Sequence, residues 1–228
     1  MINNKKIIGI ILARDGSKRL PNKNILPFVG KPLIAWTIIV AKKSKYIDRI
    51  IVSTDSEKIA KVSKQYGAEY IKRPGALASD TATSEDALLY VLETLTKKYD
   101  YFIYLQPTSP LRTTQHIDEA LEIFEKSPFA ETLISVTKVD KNPYWIQKIN
   151  KKGFIENCFG DPHQFIIPKE NLYLPNGAIF IGKEKEFLRS KKLYTSRTIP
   201  YIMDKKFSVD IDDKGDFHFA EYLLKLNI

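Results

Sequence analysis

Cysteine is almost missing from this chain of 228 residues. Cys158 stands alone, so no disulfide can close within the chain, and a reducing, cytoplasmic setting is the expectation. No apolar run has membrane-spanning length: the stretch 7–13 falls well short of the roughly 20 residues a helix needs to cross. It also runs directly into Arg14-Asp15 without the small-residue pattern of a signal-peptide cleavage site. Histidine is scarce, and His116, His163 and His218 lie too far apart for metal-ligand spacing. Neither a Walker-type loop nor a GxGxxG fingerprint is present, and no Ser, Cys and His pattern for nucleophilic catalysis stands out. Repeats and low-complexity segments are lacking too, which leaves one domain over 1–228 as the expected organisation.

What the chain does have is positive charge, a formal net +9. Much of it is scattered, at Lys42, Lys43, Lys45, Lys191 and Lys192 for example, as a solvated surface would carry it. Aromatic residues do not cluster with the basic ones, which speaks against an RNA-binding surface. An acidic small ligand is the better expectation.

Over the first 140 residues apolar runs alternate with helical periodicity, the signature of βα units and a mostly parallel α/β sheet. Strands are predicted over 7–12, 49–53, 69–72, 101–105 and 132–137. Helices should begin near Pro32, burying Leu33, Ile34, Thr37, Ile38 and Ala41; after Thr54-Asp55-Ser56; at Thr83 or Ser84, ending near Lys97-Lys98; and over 114–126. From 138 to 175 the rhythm breaks. A hairpin over 144–149 and 154–158 is expected there, with apolar residues that either pack on the protein's own core or meet a partner chain. Strands over 177–181 and 207–211 and a helix over 214–225 complete the reading.

Three segments could carry chemistry. The loop after the first strand holds Arg14, Gly16, Ser17, Lys18, Arg19, Lys23 and Asn24, where ligands of parallel sheets collect. Gly16 permits close backbone approach and the cations suit a polyphosphate, though a solvated basic turn would have the same composition. Asp210 and Asp212, two apart on a predicted strand, would face one way and could share a magnesium ion; a helix cap would explain one of the neighbouring aspartates. The segment from Gln106 through Pro107, Thr108, Ser109 and Pro110 to Arg112 forms a stiff polar loop at the same sheet edge, for binding or simply for turning the chain. Thr83 and Ser84 fit either an N-cap or an anion site at a helix start. Such parts suffice for nucleotidyl transfer, which needs positioning and charge neutralisation rather than a protein nucleophile.

These ordered motifs, with Ile51-Val52-Ser53-Thr54-Asp55, Arg73-Pro74, Leu77-Ala78-Ser79-Asp80-Thr81 and Pro175-Asn176-Gly177-Ala178-Ile179, resemble the cytidylyltransferases that activate sialic acids and related nonulosonic acids. The resemblance covers nearly the whole chain. It implies a Rossmann-like nucleotidyltransferase fold, a homodimer joined through a 138–175 arm, and CTP with magnesium and a 2-keto sugar acid as substrates, with neither nucleic acid nor membrane as partner. Carried over by position, it puts Arg14, Ser17 and Lys23 near the triphosphate, and Asn24, Arg73 and Ser84 around the cytidine. Gln106 and Asn176 would face the sugar, Asp210 and Asp212 the metal, and Arg14, Lys23 and Asp212 the reacting groups. The implied reaction is attack of the sugar's anomeric hydroxyl on the α-phosphorus of CTP, with pyrophosphate leaving.

The chain departs from that pattern twice. Asp15 stands in the phosphate loop where the family usually has an uncharged residue, and Trp145 and His163-Gln164-Phe165 stand where some sialic acid enzymes bring a lysine and an arginine to the sugar. A legionaminate-like acceptor with a less hydroxylated face follows as an expectation. The related enzymes for the eight-carbon keto acid of lipopolysaccharide usually end the equivalent strand in an acidic Gln-Gly-Asp pattern, against Gln106-Pro107-Thr108 here. A silent nucleotide-binding regulator is the other alternative, and the intact Asp210 and Asp212 speak against it.

Overall fold

The computed structural model describes residues 2–139, 142–159 and 172–226. Its centre is β1 (Ile7–Leu12), an apolar run buried along almost its whole length. The chain then forms the short hairpin β2 (Pro27–Phe28) and β3 (Lys31–Pro32), helix α1 (Leu33–Lys42), β4 (Arg49–Thr54), α2 (Glu57–Gln65), β5 (Glu69–Lys72), α3 (Ser84–Thr94) and β6 (Tyr101–Leu105). After α4 (Thr114–Glu125) and β7 (Thr132–Lys138) come the exposed hairpin β8 (Gln147–Ile149) and β9 (Ile155–Asn157), then β10 (Tyr173–Lys183), α5 (Glu184–Ser190), β11 (Thr198–Ile202) and α6 (Lys214–Lys225).

Seven strands form one sheet in the order β11-β7-β10-β6-β1-β4-β5. All run the same way except β10, which pairs antiparallel with both β6 and β7. Side chains from α1, α2 and α4, such as Ile38, Ile59 and Leu121, cover one face of the sheet. Leu88 and Val91 of α3 and Phe187 of α5 cover the other, so the core strands are apolar on both sides. The chain builds outward from β1 through β4 to β5 and then crosses back to β6 on the other side of β1. That reversal opens a crevice beyond the carboxyl ends of β1 and β6, where sheets of this kind bind ligands.

A small third cluster positions the crevice walls. Phe28 and Leu33 pack with Leu20 from the cationic loop and with Ile211 and Ala220 from the C-terminal segment. Phe28 meets Phe217 of α6 edge to face at 5.2 Å. Full burial of Phe28 and Ile211 contributes roughly 1.5–3 kcal/mol each and ties residues 210–213 to the loop after β1.

Three predicted boundaries need correction. Residues 207–211 are not a strand: a 3-10 turn covers Lys205–Phe207 and irregular chain follows, held by the Ile211 N–H donating to the Thr108 carbonyl. Helix α3 ends at Thr94 rather than at Lys97-Lys98, with no basic residue in its last turn. The strands of the 144–158 hairpin are only three residues each, because Pro143–Trp145 forms a 3-10 turn.

Candidate functional site

A cavity of about 560 Å³ occupies the crevice. The loop after β1 forms one wall with Arg14, Ser17, Lys18, Arg19, Lys23 and Asn24; Gln106, Pro107 and Thr108 after β6 form the floor; Asp210 and Asp212 stand opposite. Asn22 adopts the left-handed conformation at φ 56°, which an asparagine tolerates, and so starts the 3-10 turn that carries Lys23 and Asn24 into the cavity. The Asn24 amide donates to the Arg14 carbonyl at 3.0 Å, and its Oδ1 is buried with no protein partner, an acceptor left over for a ligand.

All four loop cations are paired with aspartates from elsewhere in the chain. Asp80 takes Arg14 at 3.0 Å and Lys18 at 2.5 Å; Asp212 takes Arg19 at 2.9 Å and Lys23 at 3.2 Å. The Lys18 and Arg14 bonds hold the Asp80 carboxyl below its usual pKa. Asp210 has the opposite bias. Although open to the cleft, it is walled in by protein: burial pushes its pKa up, the charge of Asp212 adds to the rise, and Thr108 and Lys23 oppose it. Two carboxylates so placed favour a proton or a cation between them. Among the described residues no cluster of three or more His, Cys, Asp or Glu has metal-site geometry, and a magnesium ion needs only one or two carboxylates when phosphate and water complete its shell. The pair fits that requirement. Asp213, not Asp212, caps α6, accepting from the Asp216 N–H, so the capping alternative leaves Asp212 available to the cleft.

Two further lobes extend the cavity. Toward β5 lies one of about 230 Å³, lined by Arg73, Ser84 and Leu77 and sharing Arg14, Asp80 and Tyr104 with the main chamber. Arg73 is buried and anchored on Ser53, donating to its carbonyl at 2.5 Å; burial pulls its pKa down while Asp55 supports its charge. Ser84 is the first residue of α3, behind the capping box of Thr83 and Asp86. Between the lobes the buried Tyr104 hydroxyl is raised in pKa by burial, a rise opposed by hydrogen bonds with Ser84 and Gln106.

On the other side Gln106 and Asp210 are shared with a lobe of about 440 Å³ walled by Leu174, Pro175, Phe180 and Tyr194. Its described lining contains no cation. Here β10 bulges: its register against β7 shifts between Pro175 and Phe180, with Gly177 at φ +75°. Asn176 lines this lobe, yet its amide is engaged by the protein. It donates to Ser208 Oγ at 2.9 Å and accepts from Ser135 Oγ at 2.5 Å and from the Ala178 N–H at 3.1 Å.

Arg14, Ser17, Lys23, Asn24, Arg73, Ser84, Gln106, Asn176, Asp210 and Asp212, the residues the resemblance assigns to nucleotide, sugar and metal by position, therefore each line one of three adjoining spaces. Asp15 does not line them; it is exposed, its N–H donating to Asp55. Trp145 lies on the exposed hairpin, and His163-Gln164-Phe165 fall outside the described residues. Sequence reasoning gave no individual role to Asp80, Tyr104 or Arg112. Asp80 belongs to the segment 77–81 that carried the resemblance, and its bridging of two cations is a tertiary contact with no local signal.

A family model described as Cytidylyltransferase matches residues 8–227. The N-acylneuraminate cytidylyltransferase of Escherichia coli O18:K1:H7 is 39% identical over 215 residues, 94% of this chain and 51% of that protein. The chain thus spans about half the length of that relative. The CMP-N,N'-diacetyllegionaminic acid synthase of Legionella pneumophila is 36% identical over 233 residues, 97% of each chain. A solved CMP:2-keto-3-deoxy-manno-octonic acid synthetase complexed with CTP superposes with a TM-score of 0.74 at 17% identity, covering 98% of this chain and 100% of that one, a likeness of fold.

Proposed function

The chain belongs to the cytidylyltransferase family, and from that premise we propose that it transfers CMP from CTP to the anomeric hydroxyl of a sialic-acid-like nonulosonic acid. The observation that carries the proposal is the facing arrangement at the crevice, four loop cations on one wall and Asp210 with Asp212 on the other. Relatives whose names specify N-acylneuraminate and N,N'-diacetyllegionaminic acid support the acceptor class.

In this reading Arg14, Ser17 and Lys23 bind the triphosphate, while Arg73, Ser84 and the unpaired Oδ1 of Asn24 take the cytidine. The acceptor enters the lobe beside Gln106, with Asn176 shaping its wall. The sugar's anomeric oxygen bonds to the α-phosphorus, the bond from that phosphorus to the β-phosphate oxygen breaks, and the hydroxyl proton is released as pyrophosphate leaves. Arg14 and Lys23 aim positive charge at the oxygens where negative charge develops, and a preorganised donor of this kind is worth about 10²–10³ in rate. Asp210 and Asp212 would hold magnesium, which supplies Lewis acidity and charge neutralisation at the phosphates.

Two finer features belong to the proposal. The hairpin leaves Trp145, Ile149, Phe154 and Ile155 more than half exposed, a surface suited to a second copy of this chain. In such a homodimer the 138–175 arm of the second copy would reach toward the sugar lobe, whose described lining is uncharged apart from Asp210. The apolar walls Leu174, Phe180 and Tyr194 favour a less hydroxylated, legionaminate-like acceptor. Among the described residues no helix is long and apolar enough to cross a membrane; a cytoplasmic setting, in which the exposed Cys158 thiol stays reduced, belongs to the proposal. Incubation with CTP, magnesium and a panel of 2-keto sugar acids tests the function: pyrophosphate should form only when both substrates are present. CTP binding without turnover across the panel would instead indicate a nucleotide-binding regulator.

A further inference from the structure

Arg112 is a full guanidinium with 1% of its surface exposed, and among the described residues no carboxylate pairs with it. Burial of a guanidinium without a counter-ion is costly. Its bonds therefore mark what the fold holds in place. It donates to the Ala178 carbonyl at 2.7 Å, to the Gln106 carbonyl at 3.2 Å and to Thr37 Oγ1 at 2.7 Å. The Thr37 hydroxyl in turn donates to the same Gln106 carbonyl at 3.3 Å.

The two carbonyls belong to segments that meet at the boundary between the phosphate chamber and the apolar lobe. Gln106 leaves the end of β6, and Ala178 closes the bulge of β10. In front of the clamp, a Cβ on Gly177 would lie 2.4 Å from Gln106 Oε1, so that carboxamide rests against bare backbone. Gln106 is thus gripped from behind through its carbonyl and seated in front on a glycine.

We propose that Arg112 and Thr37 are positioning residues for acceptor selection: by fixing the Gln106 backbone to the β10 bulge they hold the Gln106 carboxamide where it meets the sugar acid, without touching either substrate. This rests on Gln106 being an acceptor contact. The effect should fall on the acceptor and spare CTP, whose cations and aspartates stand on the loop after β1 and on residues 80, 210 and 212.

Thr37→Val removes the hydroxyl at near-constant volume, and Arg112→Lys keeps the charge but not the fork. With N-acetylneuraminate and N,N'-diacetyllegionaminate as probes, both variants should raise acceptor KM by about ten-fold and leave CTP KM within about two-fold, the size expected when a contact is mispositioned. Equal rises in both KM values, or no change in either, would overturn the clamp. Gln106→Ala separates the two ideas. If it alone leaves acceptor KM unchanged, the assignment of Gln106 fails; if it raises acceptor KM and Thr37→Val adds its full effect on top, the clamp fails. Crystals of Thr37→Val read the geometry without any substrate: the Gln106 carboxamide should leave Gly177 while Lys23 and Asp212 stay paired, and an unmoved Gln106 contradicts the inference even where neither sugar is turned over.

Discussion

Lys23 Nζ lies 3.2 Å from Asp212 Oδ1 and donates to the Ile211 carbonyl at 2.7 Å, with only 13% of its side chain exposed. The cation assigned to the phosphates and a carboxylate assigned to the metal thus hold each other at the mouth of one cavity. Triphosphate and metal arriving together would exchange this pair for two new ones with no net loss of charge pairing. Lys23→Met should lower kcat/KM by about 10²–10³, the loss typical of a charge donor aimed at the reacting oxygens. Steady-state pyrophosphate release measures it, and a wild-type rate would remove Lys23 from the reacting groups.

Asp210 links activity to stability. Its folded pKa is raised by burial and by Asp212, so the folded state holds its proton to higher pH than the unfolded chain does. Stability from this group is therefore present at low pH and declines as pH rises from about 4, the unfolded value, through the raised folded pKa. Asp210→Asn should raise Tm at pH 7, with the gain disappearing below about pH 4. Turnover should fall, and magnesium should raise the Tm of the wild type more than that of the variant. Thermal melts across pH, with and without magnesium, check all three. A lower Tm for the variant at pH 7 would contradict the electrostatic reading.

The βα alternation was legible because β1 and β6 are continuous apolar runs bounded by turn residues; 101–105 needed no correction, and neither did 69–72, although Glu69 and Lys72 leave that edge strand with only two apolar residues. The segment 207–211 misled because Val209 and Ile211 alternate with polar residues as a strand would. They are apolar to fill the cluster around Phe28, and in place of a ladder the Ile211 backbone is held by the Thr108 carbonyl and the Lys23 ammonium. Strand β11 escaped notice because Pro200 lies within it, which an edge strand tolerates, and α5 because it has only seven residues. Within the site, Arg14 and Lys23 could be read from residue type and position after a strand end, whereas Asp210 and Asp212 were legible from residue type alone, since the strand expected to carry them is irregular chain. Asp80 and Arg112 could not, since their roles depend on which distant loop each one meets.

Asp80 pairs with Arg14 and Lys18, cations that a triphosphate would claim under the proposed function. Asp80→Asn should bind CTP about two- to ten-fold more tightly at low salt, with the advantage shrinking as ionic strength shortens the screening length. Titration calorimetry at two salt concentrations tests this. Weaker binding by the variant would mean that Asp80 itself supports the bound nucleotide.

The hairpin makes a separate claim about assembly. Ile149, Phe154 and Ile155 are each about two-thirds exposed or more on a hairpin whose two strands, among the described residues, pair with each other alone. Replacing Ile149 and Ile155 by aspartate should shift a dimer to monomer in light scattering and raise acceptor KM more than CTP KM. A wild-type molecular mass equal to one chain would refute the arm.

The central claim is that the bond from the α-phosphorus to the β-phosphate oxygen is the one broken and that the sugar takes the CMP. Partition of isotope tests it most directly: CTP labelled in the α- or the γ-phosphate is incubated with enzyme, magnesium and N,N'-diacetyllegionaminate, and the products are separated. The account predicts all α-label in a CMP-sugar and all γ-label in pyrophosphate, in equal amounts. Release of γ-label as orthophosphate, or of α-label as free CMP with no sugar attached, would contradict it.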